Sequence, residues 1–295
     1  MAQSGASGPA ECVLNISEGR DRAVIDSVAA TGGGQLLDVH SDPEHHRSVL
    51  TLAGDLPAVE SAARRVAEAA VAAIDLSSHR GVHPRLGALD VVPFVPLVDR
   101  EGTSTPWTAI LAARDAFADW FAAAHGVPCF RYGPERTLPD VRRGAFTTLT
   151  PDTGPPAPHP TAGATAVGAR EVLIAYNVWI AADPNGGGLT PDGEVAVARR
   201  IAGQLRRPGL RTLGLAVGGA AQVSCNVVDP GSVTLTDVYD GVAGGAAALG
   251  CTVLRGELVG LLPRSALAAV PESRWDDLDL RVEDTIEFRL GTRRG

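Results

Sequence analysis

The amino-acid sequence predicts an α/β (α+β) protein of two domains. Three observations carry this. A chain of 295 residues suits two modest domains better than one. Short apolar runs rich in Val, Leu and Ile alternate with alanine-rich stretches of helical period. The order β-α-β-β-α-β occurs twice, before and after a proline-rich stretch.

The elements follow in chain order. Residues 1–10 are small and polar and read as a disordered tail. Glu11 to Ile16 is an apolar strand, and Asp21 to Ala30 has a helical pattern stopped by Gly32-Gly33-Gly34. Gln35 to His40 and Ser48 to Ala53 read as strands. Leu56 to Leu76 is a long helix with Val59, Ala62, Ala63, Val66, Ala69, Ala70 and Ala73 on one stripe. Leu89 to Leu97 is a strand whose Pro93 and Pro96 suit an edge or a bulge, because proline cannot donate to a ladder. Thr105 to His125 is helical with Gly126 as its stop, and Pro128 to Tyr132 is a strand. Arg143 to Gly168 is too rich in proline for either regular element and reads as a loop or linker.

The pattern then restarts. Glu171 to Ile180 is a strand, and Thr190 caps a helix to about Leu205 with Asp192 and Glu194 in its first turn. Leu213 to Val217, Gln222 to Val228 and Thr252 to Leu258 are strands, and Thr234 to Leu249 is helical. Arg264 to Ala269 and Leu280 to Leu290 also read as helices. The repeated order is that of the ferredoxin-like split βαβ fold. Two such subdomains are expected, 11–169 and 170–295, each with helices on one face of its sheet. A ligand crevice between two such domains is a common arrangement.

Composition narrows the function. With 45% hydrophobic residues the chain is globular. A net charge of −8 and the absence of any basic run longer than two argue against nucleic acid as a partner. There is no apolar run long enough for a membrane span and no signal peptide, so a cytoplasmic protein without a membrane partner is expected. All 26 basic residues are arginine, which excludes Schiff-base chemistry on a lysine. Cys12, Cys129, Cys225 and Cys251 make no C-x-x-C pair and read as buried thiols. No G-x-S-x-G elbow is present, and Val217-Gly218-Gly219-Ala220 matches neither nucleotide-binding loop motif.

Histidine concentrates in two places, His40 to Arg47 and His79 to Arg85. A loop histidine is by default a surface or hydrogen-bonded residue, but two histidines and two arginines within seven residues weaken that default. His79 and His83 have the spacing of helical zinc ligands, yet Gly81 and Pro84 break a helix there, so no metal is expected. Pro84 restricts His83 to extended backbone, which favours a positioned acid–base group. Arg80 and Arg85 suit substrate carboxylates or, alternatively, surface ion pairs. The stretch Gly154-Pro155-Pro156-Ala157-Pro158-His159-Pro160-Thr161-Ala162-Gly163 suits either a stiff loop against a planar ligand or an interdomain linker.

These residues carry a resemblance. Glu11 to Arg20, Leu36 to His40, Arg47-Ser-Val, Arg136 to Pro139, Leu173 to Asn177, Ala221 to Ser224 and Glu257 to Pro263 are similar to segments of the glutamate formimidoyltransferase family. The most specific is His79-Arg-Gly-Val-His-Pro-Arg-Leu-Gly-Ala-Leu-Asp-Val-Val-Pro-Phe94. The resemblance implies transfer of a formimidoyl group from N-formimidoyl-L-glutamate to tetrahydrofolate, the co-substrate, in histidine breakdown. It implies a homodimer and a folate-binding crevice between two subdomains. It makes His83 the catalytic histidine and Gly154 to Gly163 the folate segment. His40, Arg47 and Arg85 are inferred partners of the glutamate donor. His40 and His46 stand where Asp and Asn occur in some members, which also admits a folate binder without turnover or an enzyme using N-formylglutamate. The fused cyclodeaminase domain of some relatives has no counterpart in these residues.

Overall fold

The computed structural model describes residues 8–80, 85–99, 101–183 and 190–292. The chain divides into two compact units, 1–171 and 172–295. Each is described by itself.

The first unit begins with β1 (Pro9–Ile16), α1 (Arg22–Ala30), β2 (Leu36–Asp42), β3 (Arg47–Asp55), α2 (Leu56–Ala73) and β4 (Leu89–Pro96). It continues through α3 (Trp107–His125), β5 (Cys129–Tyr132), α4 (Leu138–Gly144) and β6 (Thr165–Ala169). The sheet order is β2-β3-β1-β4-β6-β5. The first four strands pair antiparallel, as the β-α-β-β-α-β order predicts, while β6 joins both β4 and β5 in parallel.

Local chemistry sets the ends of these elements. The Asp21 carboxylate accepts from the N–H groups of Ala23 and Val24 and starts α1. Gly126, at φ 65°, ends α3 in the left-handed region that lacks a penalty only for glycine. Strand alternation then sorts the sheet faces. Cys12, Leu14, Ile16, Leu50, Leu52, Val92 and Phe94 pack with Val59, Ala62, Ala63, Val66, Phe117 and Phe121 from α2 and α3. The alanines let α2 lie close to the sheet, and each buried Phe, Leu or Val adds about 1.5–3 kcal/mol.

The structure corrects several expectations. Strand β1 starts at Pro9 and buries Ala10, so the last two residues of the expected tail belong to the sheet; residues 1–7 lie outside the described residues. On α2 the buried stripe includes Leu56 and Ala67, while Ala73 faces solvent. Strand β4 is not an edge: it lies between β1 and β6. Pro93 is accommodated because the β1 ladder has no partners between Cys12–Phe94 and Asn15–Val91 and shifts register at Asn15 and Ile16, while Pro96 is the last residue of the strand, opposite Ala10. The proline-rich stretch is not wholly irregular, since α4 ends inside it and β6 closes it. Thr137 and Asp140 form a capping box that starts α4.

The second unit is β7 (Ile174–Ala182), α5 (Pro191–Leu205), β8 (Leu210–Val217), β9 (Ala220–Val227), α6 (Leu235–Ala247) and β10 (Cys251–Val259), followed by α7 (Arg264–Ala268) and α8 (Ile286–Thr292). Its sheet order is β10-β7-β9-β8 with every pair antiparallel. Tyr176, Val178, Ile180, Val223 and Cys225 pack with residues of α5 and α6. The expected Leu280–Leu290 helix is split. Thr285 is extended and fully buried, and it separates a single 3-10 turn at Val282–Asp284 from α8. Gly218 and Gly219, both at positive φ, form the two-residue turn of the β8–β9 hairpin.

Among the described residues no helix is long and apolar enough to cross a membrane. All four cysteines are buried and unpaired, and burial pushes the Cys129 and Cys225 thiols up to about 12. That disfavours a thiolate nucleophile.

Candidate functional site

The residues after β1 begin the site. Ser17 donates from Oγ to the Gly87 carbonyl at 2.7 Å, which ties β1 to the start of β4. Gly19 lies so close to the β2–β3 hairpin that a Cβ there would meet the Asp42 carbonyl at 2.2 Å. This puts Glu18 under the hairpin tip, where its carboxylate accepts from the Arg20 and Asp21 N–H groups at 2.8 and 2.9 Å. Burial alone would raise the Glu18 carboxyl. Those N–H groups and the His46 ring outweigh it and hold the carboxyl below its ordinary value.

The hairpin tip carries two histidines with separate partners. His45 is buried, with Nδ1 2.6 Å from the Asp42 carboxylate. Burial opposes ionisation of Asp42, but the hydrogen bonds from the His45 ring and N–H prevail and hold it at about 2. His46 sits at φ 51°. Its Nδ1 lies 2.9 Å from the Arg80 carbonyl and its Nε2 3.0 Å from Glu18. Its ring stacks on His79 at 3.9 Å between centroids.

The Asp42 value has a consequence for acid stability. A depressed carboxyl is protonated first in the unfolded chain. Its stabilisation is therefore present above about pH 4 and is lost as pH falls toward 2. Asp42→Asn is expected to cost up to roughly 2 kcal/mol at neutral pH. It should also flatten the acid limb between those limits, as measured by urea unfolding at several pH values. An unchanged acid limb would remove Asp42 as its source.

Arg85 joins the two histidine-rich segments. Its guanidinium donates to the carbonyls of His46 at 3.1 Å and His45 at 3.0 Å, and Nη1 also contacts His79 Nε2. A guanidinium only donates, so in this contact His79 Nε2 accepts. The same Nε2 lies 3.2 Å from the His46 carbonyl. Burial, followed by the nearby charge of Arg85, also lowers the His79 pKa. Arg47 and Arg85 both feel the Asp90 carboxylate and the Arg142 guanidinium, and burial lowers both. Asp90 itself is buried, accepting from the Leu86 N–H and from Arg142, each at 2.6 Å.

Among the described residues, Leu76, His79, Arg80 and Arg85 line an open pocket of ≈ 310 Å³. The end of the proline-rich segment adjoins it. Leu76 donates its N–H to the Thr161 carbonyl at 2.8 Å, Ala88 to Ala162 at 2.9 Å and Ala164 to Leu86 at 2.9 Å. His159 Nδ1 accepts from the Ala162 N–H at 3.1 Å and closes the 159–163 turn. The segment lies within the first unit and leads into a strand of its sheet, so it is not an interdomain linker. Gly163 has φ 68°, and a Cβ there would meet the Leu86 carbonyl at 2.2 Å. Gly163→Ala is expected to cost about 1–3 kcal/mol, read as a fall in the urea midpoint. An unchanged midpoint would mean that this crossing can relax.

These residues match a known pattern. Residues 9–170 fit the family model described as "Formiminotransferase domain, N-terminal subdomain". The chain belongs to the formiminotransferase family. It is 35% identical to a glutamate formimidoyltransferase of Streptococcus pyogenes, covering 93% of this chain and 94% of the relative. It is 34% identical to a glutamate formimidoyltransferase of Thermoplasma acidophilum, covering 88% and 90%. It is also 35% identical to the formimidoyltransferase-cyclodeaminase of Gallus gallus, covering 89% of this chain and 51% of that protein.

For this formiminotransferase-family chain, the residues singled out by sequence fall as follows. His83 lies outside the described residues, while Arg80 and Arg85 on either side of that segment line the pocket. Arg47 pairs with Asp42 across the β2–β3 ladder and is coupled to Asp90 and Arg85. His40 pairs with Val49 on the same ladder, on the strand face of Asp42. Pro155 to Pro158 are exposed, and Ala162 is buried. Sequence reading gave no role to Glu18, Asp42, Asp90 or Arg142. Glu18 and Asp90 both lie in quoted family-like runs, which was the available signal. Among the described residues, no group of three His, Cys, Asp or Glu side chains could hold a metal ion.

Proposed function

We propose that this chain is a glutamate formimidoyltransferase, moving the formimidoyl group of N-formimidoyl-L-glutamate to N5 of tetrahydrofolate in histidine breakdown. The observation that carries the reading is the pocket with His79, Arg80 and Arg85 on its wall and Arg47 close enough to Arg85 to feel its charge. The donor carries two carboxylates, and guanidinium groups bind carboxylates with directed paired hydrogen bonds. A pocket of ≈ 310 Å³ is of small-molecule size.

The chemistry needs one proton moved in each direction. Folate N5 attacks the formimidoyl carbon, and its proton passes to a base as the tetrahedral intermediate forms. The C–N bond to glutamate then breaks as that nitrogen receives a proton. In this reading His83 serves both steps. Arg85 and Arg47 hold the donor with His40 nearby, and Gly154 to Gly163 lie against the folate. The protein acts as a homodimer in the cytoplasm.

The test is an assay of the purified chain with tetrahydrofolate, comparing N-formimidoyl- and N-formyl-L-glutamate and following glutamate release. Release from the formimidoyl donor alone supports the reading. Release from the formyl donor alone would change the donor. Folate binding without any release would make the chain a binding protein.

A further inference from the structure

We infer that His46 is a positioning residue of this pocket, its ring and backbone together fixing His79, Arg80 and Arg85 relative to one another. The kinetic part of the test rests on the transfer reaction proposed above. The geometric part does not.

His46 is not among the residues lining the pocket, yet it touches three of the four described ones. Its ring stacks on His79, its Nδ1 meets the Arg80 carbonyl, and its own carbonyl accepts from Arg85. Arg80 and Arg85 are five positions apart in the chain, and His46 contacts both.

The ring is held at both nitrogens: Nδ1 lies 2.9 Å from the Arg80 carbonyl and Nε2 3.0 Å from the Glu18 carboxylate. Glu18 is itself fixed by two backbone N–H groups. The stack on His79 holds the face of the ring as well.

The backbone of His46 makes a separate contribution. At φ 51° it occupies the left-handed region, where Asn, Asp and His are the side chains most often tolerated. That conformation aims the His46 carbonyl at Arg85. Gly at this position would keep the backbone and lose the ring. Asn would keep the backbone and one donor.

The experiment compares wild type, His46→Gly, His46→Asn and Glu18→Gln as full chains. Histidine ring NMR, with His46 assigned by its loss in the Asn variant, should show close contacts between the His46 and His79 rings, and these should weaken in Glu18→Gln. Absence of those contacts in wild type would overturn the inference. In the transfer assay, His46→Gly should lower kcat/KM for the donor by ~10²-fold, the scale of an ångström-sized misplacement. KM for tetrahydrofolate should stay nearly constant, and His46→Asn should recover most of the loss. Equal rates for Gly, Asn and wild type would also overturn it. If wild type releases no glutamate, the transfer reading fails separately. Calorimetric glutamate affinity across the same proteins then decides: weaker binding in Gly than in Asn upholds the positioning role, and equal affinities reject it.

Discussion

His83→Ala is expected to lower glutamate release by ~10²–10⁴-fold, the usual contribution of a positioned acid–base group. The case for the size of the loss is chemical. N5 of the folate cannot remain a cation in the intermediate, and the departing glutamate nitrogen cannot leave as an amide anion. A single imidazole near its own pKa can take the first proton and return it in the second step. Water can replace it only in part. His79 is a poor substitute, because Arg85 occupies its accepting nitrogen. The thermal midpoint and the tetrahydrofolate affinity of the variant should match wild type within error. A variant that retains near-normal kcat would remove His83 from the acid–base role, leaving His79 as the next imidazole to replace.

The sequence made the two β-α-β-β-α-β units legible because their helices and strands have distinct periods. Val59, Ala62, Ala63, Val66 and Ala70 recur at helical spacing, and each is buried. Strand β6 was illegible for a physical reason. Thr165-Ala-Val-Gly-Ala169 is buried on both faces between two parallel neighbours, so it shows no alternation. Its Gly168 is needed because the Tyr132 ring occupies the space of a Cβ. The proline-rich segment hid it, since prolines up to Pro160 stop just before the strand.

The site was legible by residue type but not by partner. His45, His46, His79 and Arg85 stood out as clusters, yet the clusters are 33 or more positions apart and meet only through the β2–β3 hairpin. Glu18 and Asp42 gain their roles from backbone N–H groups that converge on them. No spacing rule in the chain announces such convergence. His40 and His46 looked alike as departures from the family. The structure separates them: His46 contacts the pocket wall, whereas His40 lies on the ladder opposite Val49.

Asp90→Ala should be the most destabilising single change near the site, at about 3–5 kcal/mol, the cost of stranding one partner of a buried ion pair. The Asp90 side chain is 2% exposed and Arg142 is 20% exposed, so the guanidinium can recover part of its hydration and the lower end is expected. Two separate losses contribute. The Leu86 N–H loses its acceptor at the start of β4, and Arg142, Arg47 and Arg85 lose the carboxylate that offsets their mutual repulsion. Asp90→Asn separates them, because the amide oxygen can still accept from Leu86 while the charge is gone. If repulsion dominates, Asn should be nearly as damaging as Ala, and both should recover at high salt, where screening weakens the guanidinium contacts. If the backbone bond dominates, Asn should retain about half the stability that Ala loses and show little salt dependence. Urea unfolding of both variants at low and high salt distinguishes these cases. A loss below about 1 kcal/mol for Asp90→Ala would place the pair in the surface class and remove Asp90 as the anchor of the cationic pocket.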